Sequence, residues 1–87
     1  MITLMKFSAE WCQPCKRYAP IVQQVVESRP EVRLEEIDID KSPQLAAKFG
    51  VQSVPFTVLR DEDGTILGGF QGAVAGSKLH QILDTFL

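Results

Sequence analysis

The sequence predicts an α/β fold with the element order β-α-β-α-β-β-α, in a single domain over residues 1–87. Three observations support this prediction. Short apolar runs alternate with segments whose apolar residues recur at helical spacing. Clusters of proline, glycine and polar residues separate these segments. A chain of 87 residues is long enough for one hydrophobic core and too short for two ordinary domains.

The first strand and the first helix are predicted from the N-terminal third of the chain. Residues 2–7 are short, apolar and bounded by a polar cluster, which is typical of a buried strand. From Cys15 to about Ser28, apolar residues recur at the spacing of an amphipathic helix. Pro20 lies inside this helix, and we expect a kink there and not a break, because the apolar stripe continues beyond it.

The second strand and the second helix follow in the middle of the chain. Residues 32–39 are predicted as a strand. Ser42 suits the N-cap of a short helix, Pro43 suits its first position, and Gly50 suits its C-terminal cap.

A hairpin and a last helix complete the predicted fold. Residues 56–60 and 65–70 are predicted as paired strands around the turn at residues 61–64. The Gly68-Gly69 pair weakens the second of these strands and suggests a β-bulge. After Ser77, taken as the N-cap, apolar residues recur at helical spacing to the end of the chain.

The charge pattern excludes some classes of function. Nine Lys and Arg residues are outnumbered by eleven Asp and Glu residues and are scattered, so no phosphate-backbone footprint is present and nucleic-acid binding is not expected. The uncharged stretch at residues 65–77 contains four glycines and is too short and too polar for a membrane span. The first residues do not resemble a signal peptide, which favours a cytoplasmic location.

Two cysteines, Cys12 and Cys15, carry the chemistry that we expect. A bridge over so short a loop adds little stability, so these residues are not expected to hold the fold together. At the junction of the first strand and the first helix, Cys12 would lie against free N–H groups and the positive end of the helix dipole. This environment favours a reactive thiolate at Cys12, with Cys15 sheltered one turn further on, and Pro14 stiffens the loop between them.

Other interpretations of these residues exist. A structural zinc site needs about four ligands, and the only histidine is His80, which we expect to be an ordinary surface residue of the last helix, so no metal is expected. The two cysteines could instead be inert core residues. Trp11 could simply fill the core, whereas beside a reactive thiol it would shield the site and contact a partner.

Several motifs together resemble the thioredoxins, in order and in spacing, over nearly the whole chain. These are Phe7-Ser8-Ala9-Glu10-Trp11-Cys12-Gln13-Pro14-Cys15-Lys16, Ala19-Pro20-Ile21, Ile37-Asp38-Ile39-Asp40, Val54-Pro55 and Gly72-Ala73. The resemblance implies the thioredoxin fold, here a mixed four-stranded sheet flanked by three helices. It also implies a cis peptide bond at Val54-Pro55 facing the dithiol, which proline permits.

The sequence departs from the family pattern in three places. The strand and helix that precede the first strand in full-length thioredoxins are not expected here. Gln13 stands where the family usually has glycine, which leaves the redox potential open. Lys6 stands where thioredoxins usually carry a buried aspartate.

The resemblance implies a thiol-disulfide oxidoreductase that reduces protein disulfides, with Cys12 attacking and Cys15 resolving the mixed disulfide. Electrons would come from NADPH through a flavin-containing thioredoxin reductase, with no cofactor bound to a protein that we expect to be a monomer. An extended peptide of the substrate would dock on an apolar patch around Cys12, formed by Trp11, Ile39, Val54, Pro55, Gly72 and Ala73. Two alternatives are a glutathione-dependent glutaredoxin, favoured by the short chain, Ser53-Val54-Pro55 and Gly68-Gly69, and a thioredoxin-like binding module without turnover.

Lys6 and Glu36 each fall on an otherwise apolar strand face, because side chains alternate with period two. The signs look exchanged relative to the family, in which the first position holds an acid and the second can hold its lysine partner. We therefore predict a Lys6–Glu36 pair beneath the dithiol, in which Glu36 takes over the acid-base role toward Cys15. Loss of Lys6 would then strand a buried carboxylate. The alternative is that both side chains reach solvent at the strand ends.

Overall fold

The computed structural model describes residues 1–87 and confirms the predicted element order. The elements are β1 (Ile2–Ser8), α1 (Gln13–Glu27), β2 (Val32–Asp38), α2 (Pro43–Lys48), β3 (Phe56–Asp61), β4 (Ile66–Gln71) and α3 (Gly76–Phe86). The strands form one sheet in the order β2-β1-β3-β4, in which β1 and β2 are parallel and the other pairs antiparallel. The mixed four-stranded sheet is therefore confirmed. No helix combines the length and the apolar character that a membrane crossing requires.

The central strand β1 is buried on both faces of the sheet. Ile2 and Leu4 point to the face covered by α1 and α3, where they join the larger core cluster. Met5 and Phe7 point to the opposite face and pack with residues of α2. This alternation places Lys6 on the same face as Leu4, as its phase in the sequence predicts.

Helix α1 begins at Gln13, two residues earlier than predicted, because Cys12 acts as its N-cap. The helix runs on to Glu27, so Pro20 does not interrupt it. Pro14 lies in the first turn, where the missing N–H has no helical partner to lose.

Helix α2 ends in a glycine cap, as predicted. Gly50 has a φ of +67°, its N–H donates to Ala47 at 3.1 Å, and the N–H of Val51 donates to Ala46 at 2.9 Å. This pair of bonds satisfies two carbonyls that the helix end leaves free. Ser42 occupies the N-cap position, but its side chain makes no capping hydrogen bond.

The predicted N-cap of α3 is wrong. The helix begins at Gly76, its N-cap is Ala75, and Ser77 lies inside the first turn. Gly76 lies against α1, where an added Cβ would be 3.8 Å from Ile21 and Val25. Packing of the two helices, and not the capping preference of serine, therefore positions the start of α3.

His80 is also more than a surface residue. Arg29, which follows α1, donates from Nε to His80 Nδ1 at 2.9 Å and from Nη2 to Asp84 Oδ1 at 2.6 Å. These bonds join the end of α1 to α3. The expectation of an ordinary surface histidine is therefore corrected.

The β3–β4 hairpin contains the predicted bulge, one residue before the expected glycine pair. Leu59 pairs with Gly68 and Arg60 pairs with Ile66, so Leu67 is the extra residue. Gly69 is not part of the bulge, and it avoids a close contact, because an added Cβ would lie 3.0 Å from the Thr57 carbonyl oxygen. A side chain at Gly69 would therefore press against the neighbouring strand.

Candidate active site

The two cysteines form a disulfide at the N-terminus of α1, with their Cα atoms 5.3 Å apart. Cys12 has the extended backbone of an N-cap residue, and its Sγ accepts a hydrogen bond from the Cys15 N–H at 3.2 Å. One N–H that the helix start leaves without a backbone partner is therefore directed at the Cys12 sulfur. When the bond is reduced, the same N–H and the helix dipole favour negative charge on Cys12.

Both cysteines are buried, so the expectation that only Cys15 is sheltered is wrong. Cys12 is 4% exposed and Cys15 is 3% exposed. Ala9, Ile39 and Val54 pack around them. The sequence does not show this burial, because Ile39 and Val54 lie far from the cysteines along the chain.

The loop before β3 packs against Cys12. The Val54-Pro55 peptide bond is cis, which confirms the expectation drawn from the family resemblance. The Val54 carbonyl oxygen lies 3.7 Å from Cys12 Sγ. A disulfide sulfur carries no proton, so this is a packing contact in the oxidised protein, whereas a Cys12 thiol could donate to the same oxygen.

A second loop is fixed next to the first. The N–H of Gly72 donates to the carbonyl oxygen of Pro55 at 2.8 Å. Gly72 has a φ of +94°, a conformation that favours glycine, and this lets the chain turn sharply after β4. Ala73, the next residue, is exposed.

Trp11 lies on the surface next to Cys12 and is 64% exposed, so the core-filling alternative is wrong. Its indole Nε1 donates to Asp40 Oδ2 at 2.8 Å. Asp40 is thus a neighbour of the site that the sequence analysis does not connect with Trp11. The two residues are separated by 29 positions, and no local pattern connects them.

The predicted docking residues differ in how accessible they are. Ile39 and Val54 are half-buried against the cysteines, Pro55 is buried, and Trp11 and Ala73 are exposed. Gly72 is half-buried, while Gln13 and Pro14 are exposed on the first turn of α1.

The predicted contact between Lys6 and Glu36 is present. Lys6 Nζ lies 2.9 Å from Glu36 Oε1, and the two residues are directly opposite each other on β1 and β2. Lys6 is 3% exposed, whereas Glu36 is 62% exposed. Lys6 therefore does not reach solvent, and Glu36 is not a buried carboxylate, because β1 is an inner strand and β2 is an edge strand.

A buried hydroxyl pair lies next to Lys6. The Tyr18 hydroxyl and Thr57 Oγ1 are 3.3 Å apart, and Thr57 is the β3 residue directly opposite Lys6. Burial raises the pKa of Tyr18 above its ordinary value, and the hydrogen bond to Thr57 opposes this shift. No sequence pattern identifies this pair, because a lone tyrosine on an apolar helix face predicts only core packing.

No group of three or more His, Cys, Asp or Glu side chains is placed to hold a metal ion.

Comparisons with known proteins agree on one family. A family model described as Thioredoxin matches residues 1–85. Thioredoxin of Listeria monocytogenes is 30% identical over 87 residues, which cover 99% of this chain and 84% of the relative. Thioredoxin C-3 of Corynebacterium nephridii is 40% identical over 81 residues, which cover 93% of this chain and 55% of the relative. Among solved structures, oxidised mitochondrial thioredoxin 3 from Saccharomyces cerevisiae has a TM-score of 0.88 and 30% identity, covering 97% of this chain and 77% of that chain.

The site contains the parts that thiol-disulfide exchange needs. A disulfide can oxidise a pair of thiols and become reduced itself. In the reverse direction, the reduced dithiol can reduce a substrate disulfide and become oxidised. Cys12 and Cys15 are in bonding distance at a helix N-terminus, beside a cis-proline loop. Together with the matches over nearly its full length, this arrangement shows that the chain belongs to the thioredoxin family and is a protein-disulfide reductase with a Cys-X-X-Cys centre.

Proposed function

We propose that Cys12 is the attacking cysteine and Cys15 the resolving cysteine. The Cys12 thiolate attacks one sulfur of a substrate disulfide, and the other substrate sulfur leaves as a thiolate and takes up a proton. The Cys15 thiolate then attacks Cys12 Sγ, which releases the second substrate thiol and restores the Cys12–Cys15 disulfide. The single observation that carries this assignment is the hydrogen bond from the Cys15 N–H to Cys12 Sγ at 3.2 Å, because it stabilises charge on Cys12.

Single-cysteine variants test the assignment. Cys15→Ser should accumulate a covalent one-to-one complex with a disulfide-containing protein, because the mixed disulfide cannot be resolved. Cys12→Ser should form little or none. Non-reducing gel electrophoresis separates the complexes, and equal trapping by the two variants would contradict the assignment.

The substrate is proposed to dock as an extended peptide on the patch formed by Trp11, Ile39, Val54, Pro55, Gly72 and Ala73. Its support is the position of Val54, whose carbonyl oxygen is 3.7 Å from Cys12 Sγ and whose side chain packs against the cysteines. An extended chain beside this loop could exchange main-chain hydrogen bonds with it. Because the patch is mostly apolar, shape would contribute more than charge to recognition.

Electrons are proposed to come from NADPH through a flavin-containing thioredoxin reductase that reduces the Cys12–Cys15 disulfide. Two coupled assays test this source. One follows NADPH oxidation with thioredoxin reductase and a protein disulfide, and the other uses glutathione, glutathione reductase and a small mixed disulfide. Turnover in the second assay alone would reject thioredoxin reductase as the donor, and silence in both would favour a binding module.

Glu36 is proposed to exchange the proton of Cys15, as a counterpart to the acid that thioredoxins carry at the Lys6 position. Lys6 supports this role because its buried ammonium holds Glu36 Oε1 at 2.9 Å and lies opposite Thr57. Tyr18, three residues after Cys15 on α1, reaches the same threonine. The ion pair and the Tyr18–Thr57 hydrogen bond therefore lie on the sheet face that is covered by α1, the helix that carries the cysteines.

The decay of the Cys12 mixed disulfide tests the role of Glu36. Glu36→Gln should slow that decay and leave alkylation of Cys12 nearly unchanged, because only the second step needs the proton acceptor. Glu35→Gln is a matched control, since Glu35 is the preceding residue and points to the other sheet face. A wild-type decay rate for Glu36→Gln across about pH 6 to 9, a range that spans thiol titration, would reject the role.

The chain is further proposed to act as a single domain and as a monomer in the cytoplasm. The single domain is supported by one sheet that joins all four strands and by core clusters on both faces of that sheet. Sedimentation analysis of the oxidised and reduced protein would detect a dimer and so test the monomer.

A further inference from the structure

A polar cavity of about 210 Å³ lies at the end of the sheet opposite the disulfide. Met1, Thr3, Arg33, Arg60 and Glu62 line it. It exists because α2 has only six residues and is therefore about 9 Å long. So short a helix covers part of its sheet face and leaves the strand ends near Thr3 open.

The centre of the cavity is a row of three side chains in register across three strands. Thr3 on β1 is directly opposite Arg33 on β2 and directly opposite Arg60 on β3. Residues in register on neighbouring strands have their side chains on the same face. Thr3 therefore lies between two arginine residues whose side chains are on its own face of the sheet.

The hydroxyl of Thr3 is available to a ligand. Thr3 is 9% exposed, and its side chain makes no hydrogen bond within the protein. The only fully enclosed side-chain polar atom without a hydrogen-bond partner is Ser53 Oγ, so the unpartnered Oγ1 of Thr3 is accessible. The hydroxyl therefore faces the cavity with a free donor.

The cavity also has positive charge that the protein does not neutralise. Arg33 is exposed and forms no ion pair. Arg60 Nη2 donates to Glu35 Oε2 at 3.3 Å, which leaves most of its five N–H donors free. The carboxylate of Glu62 is bound to the Met1 ammonium at 2.9 Å, so it does not pair with either arginine.

We propose that this cavity binds a phosphate group, held by Arg33, Thr3 and Arg60. Phosphate has enough oxygens to accept from all three side chains at once, and arginine forks match its geometry. At about 210 Å³ the cavity is smaller than typical pockets for drug-sized ligands, so the ligand is inorganic phosphate or a small phosphomonoester.

This site is separate from the reductase function. Thr3 and Ser8 are five residues apart on β1, which is about 17 Å along the strand. Cys12 lies beyond Ser8, at the far end. Substitutions in the cavity can therefore be made without touching the cysteines, and a loss of phosphate binding is distinguishable from a loss of disulfide reduction.

The test is a titration of the full oxidised chain, followed by two-dimensional amide NMR, with inorganic phosphate, glycerol phosphate and sodium chloride at matched ionic strength. Phosphate should give saturable shifts centred on Thr3, Arg33 and Arg60, and chloride should not. Tighter binding of glycerol phosphate would identify the ligand as a phosphomonoester, and binding of inorganic phosphate that is at least as tight would identify it as the free ion.

Three variants complete the test. Arg33→Gln should weaken phosphate binding about tenfold or more, the loss expected for one charged hydrogen bond. Thr3→Val should weaken phosphate binding about threefold to tenfold, the loss expected for a hydrogen bond from a neutral donor. Arg17→Gln is the control, because it removes an exposed arginine of α1 and should leave phosphate binding unchanged. Shifts that do not saturate, that chloride reproduces, or that are the same in Arg33→Gln and the wild type would overturn the site.

Discussion

Replacing Lys6 by methionine should leave the free energy of unfolding unchanged or raise it by about 1 kcal/mol, whereas Glu36→Gln should lower it. The difference follows from burial, because Lys6 is 3% exposed and Glu36 is 62% exposed. Methionine is apolar, has a similar length and removes the buried charge, and Glu36 then keeps its water. Glutamine leaves the buried ammonium without its carboxylate.

The size of the Glu36 effect follows from the contact that is lost. The hydrogen bond between these two charged groups contributes about 1.5–3 kcal/mol, and glutamine keeps an oxygen that can accept from the ammonium but carries no negative charge, so part of that contribution is lost. Glu36→Gln should therefore reduce the free energy of unfolding by about 1–2 kcal/mol. In a chain of this size, each kcal/mol corresponds to a change in Tm of about 4–8 °C.

Urea unfolding of the oxidised proteins, followed by circular dichroism, measures both effects. Glu10→Gln is the matched control, because Glu10 and Lys41 form a looser pair at 3.9 Å in which both side chains are at least 75% exposed. That substitution should change little. Unfolding of Lys6→Met at a lower urea concentration than Glu36→Gln would contradict this prediction, since a buried carboxylate would then be the group left without a partner.

Three further predictions concern the docking patch, Tyr18 and the hairpin. Ala73→Asp and Val54→Asp should slow reduction of a protein disulfide much more than reduction of a small disulfide, and equal losses in steady-state assays would argue against the patch. Because burial raises the pKa of Tyr18 in the folded protein, the contribution of neutral Tyr18 to the free energy of unfolding should be fully present below about pH 10 and should be lost above it. Tyr18→Phe should reduce this alkaline loss in thermal melts. At neutral pH the same substitution should lower the free energy of unfolding by about 1 kcal/mol, because the hydrogen bond to Thr57 is missing. Gly69→Ala should lower the free energy of unfolding by about 1–3 kcal/mol, because its Cβ would lie 3.0 Å from a carbonyl oxygen of β3, and an unchanged urea midpoint would show that the hairpin yields without loss.

The strand faces could be predicted because alternation is a local property. Lys6 shares a phase with Leu4, and the structure buries both on the face covered by α1 and α3. The exposure of Glu36 could not be predicted in the same way. It depends on β2 being an edge strand, which is decided by strand order and not by the composition of β2.

Contacts between distant residues set the other limits of prediction. The cysteine motif and the helix that follows it are adjacent in the chain, so their arrangement could be predicted. Asp40 reaches Trp11 only through the fold, and the row of Arg33, Thr3 and Arg60 depends on the register of three strands. Serine is a residue type that favours N-caps, but packing of α3 against α1 places the N-cap two residues before Ser77, at Ala75.

The extra residue Leu67 also affects how the protein behaves when it is concentrated. β4 is an edge strand and carries no charged side chain, so composition alone would make it a template for a strand from another molecule. A bulge disturbs the regular spacing of backbone groups and increases the local twist, so a flat incoming strand cannot pair along its whole length. The bulge at Leu67 therefore protects the uncharged edge strand β4 against pairing with a strand of another molecule.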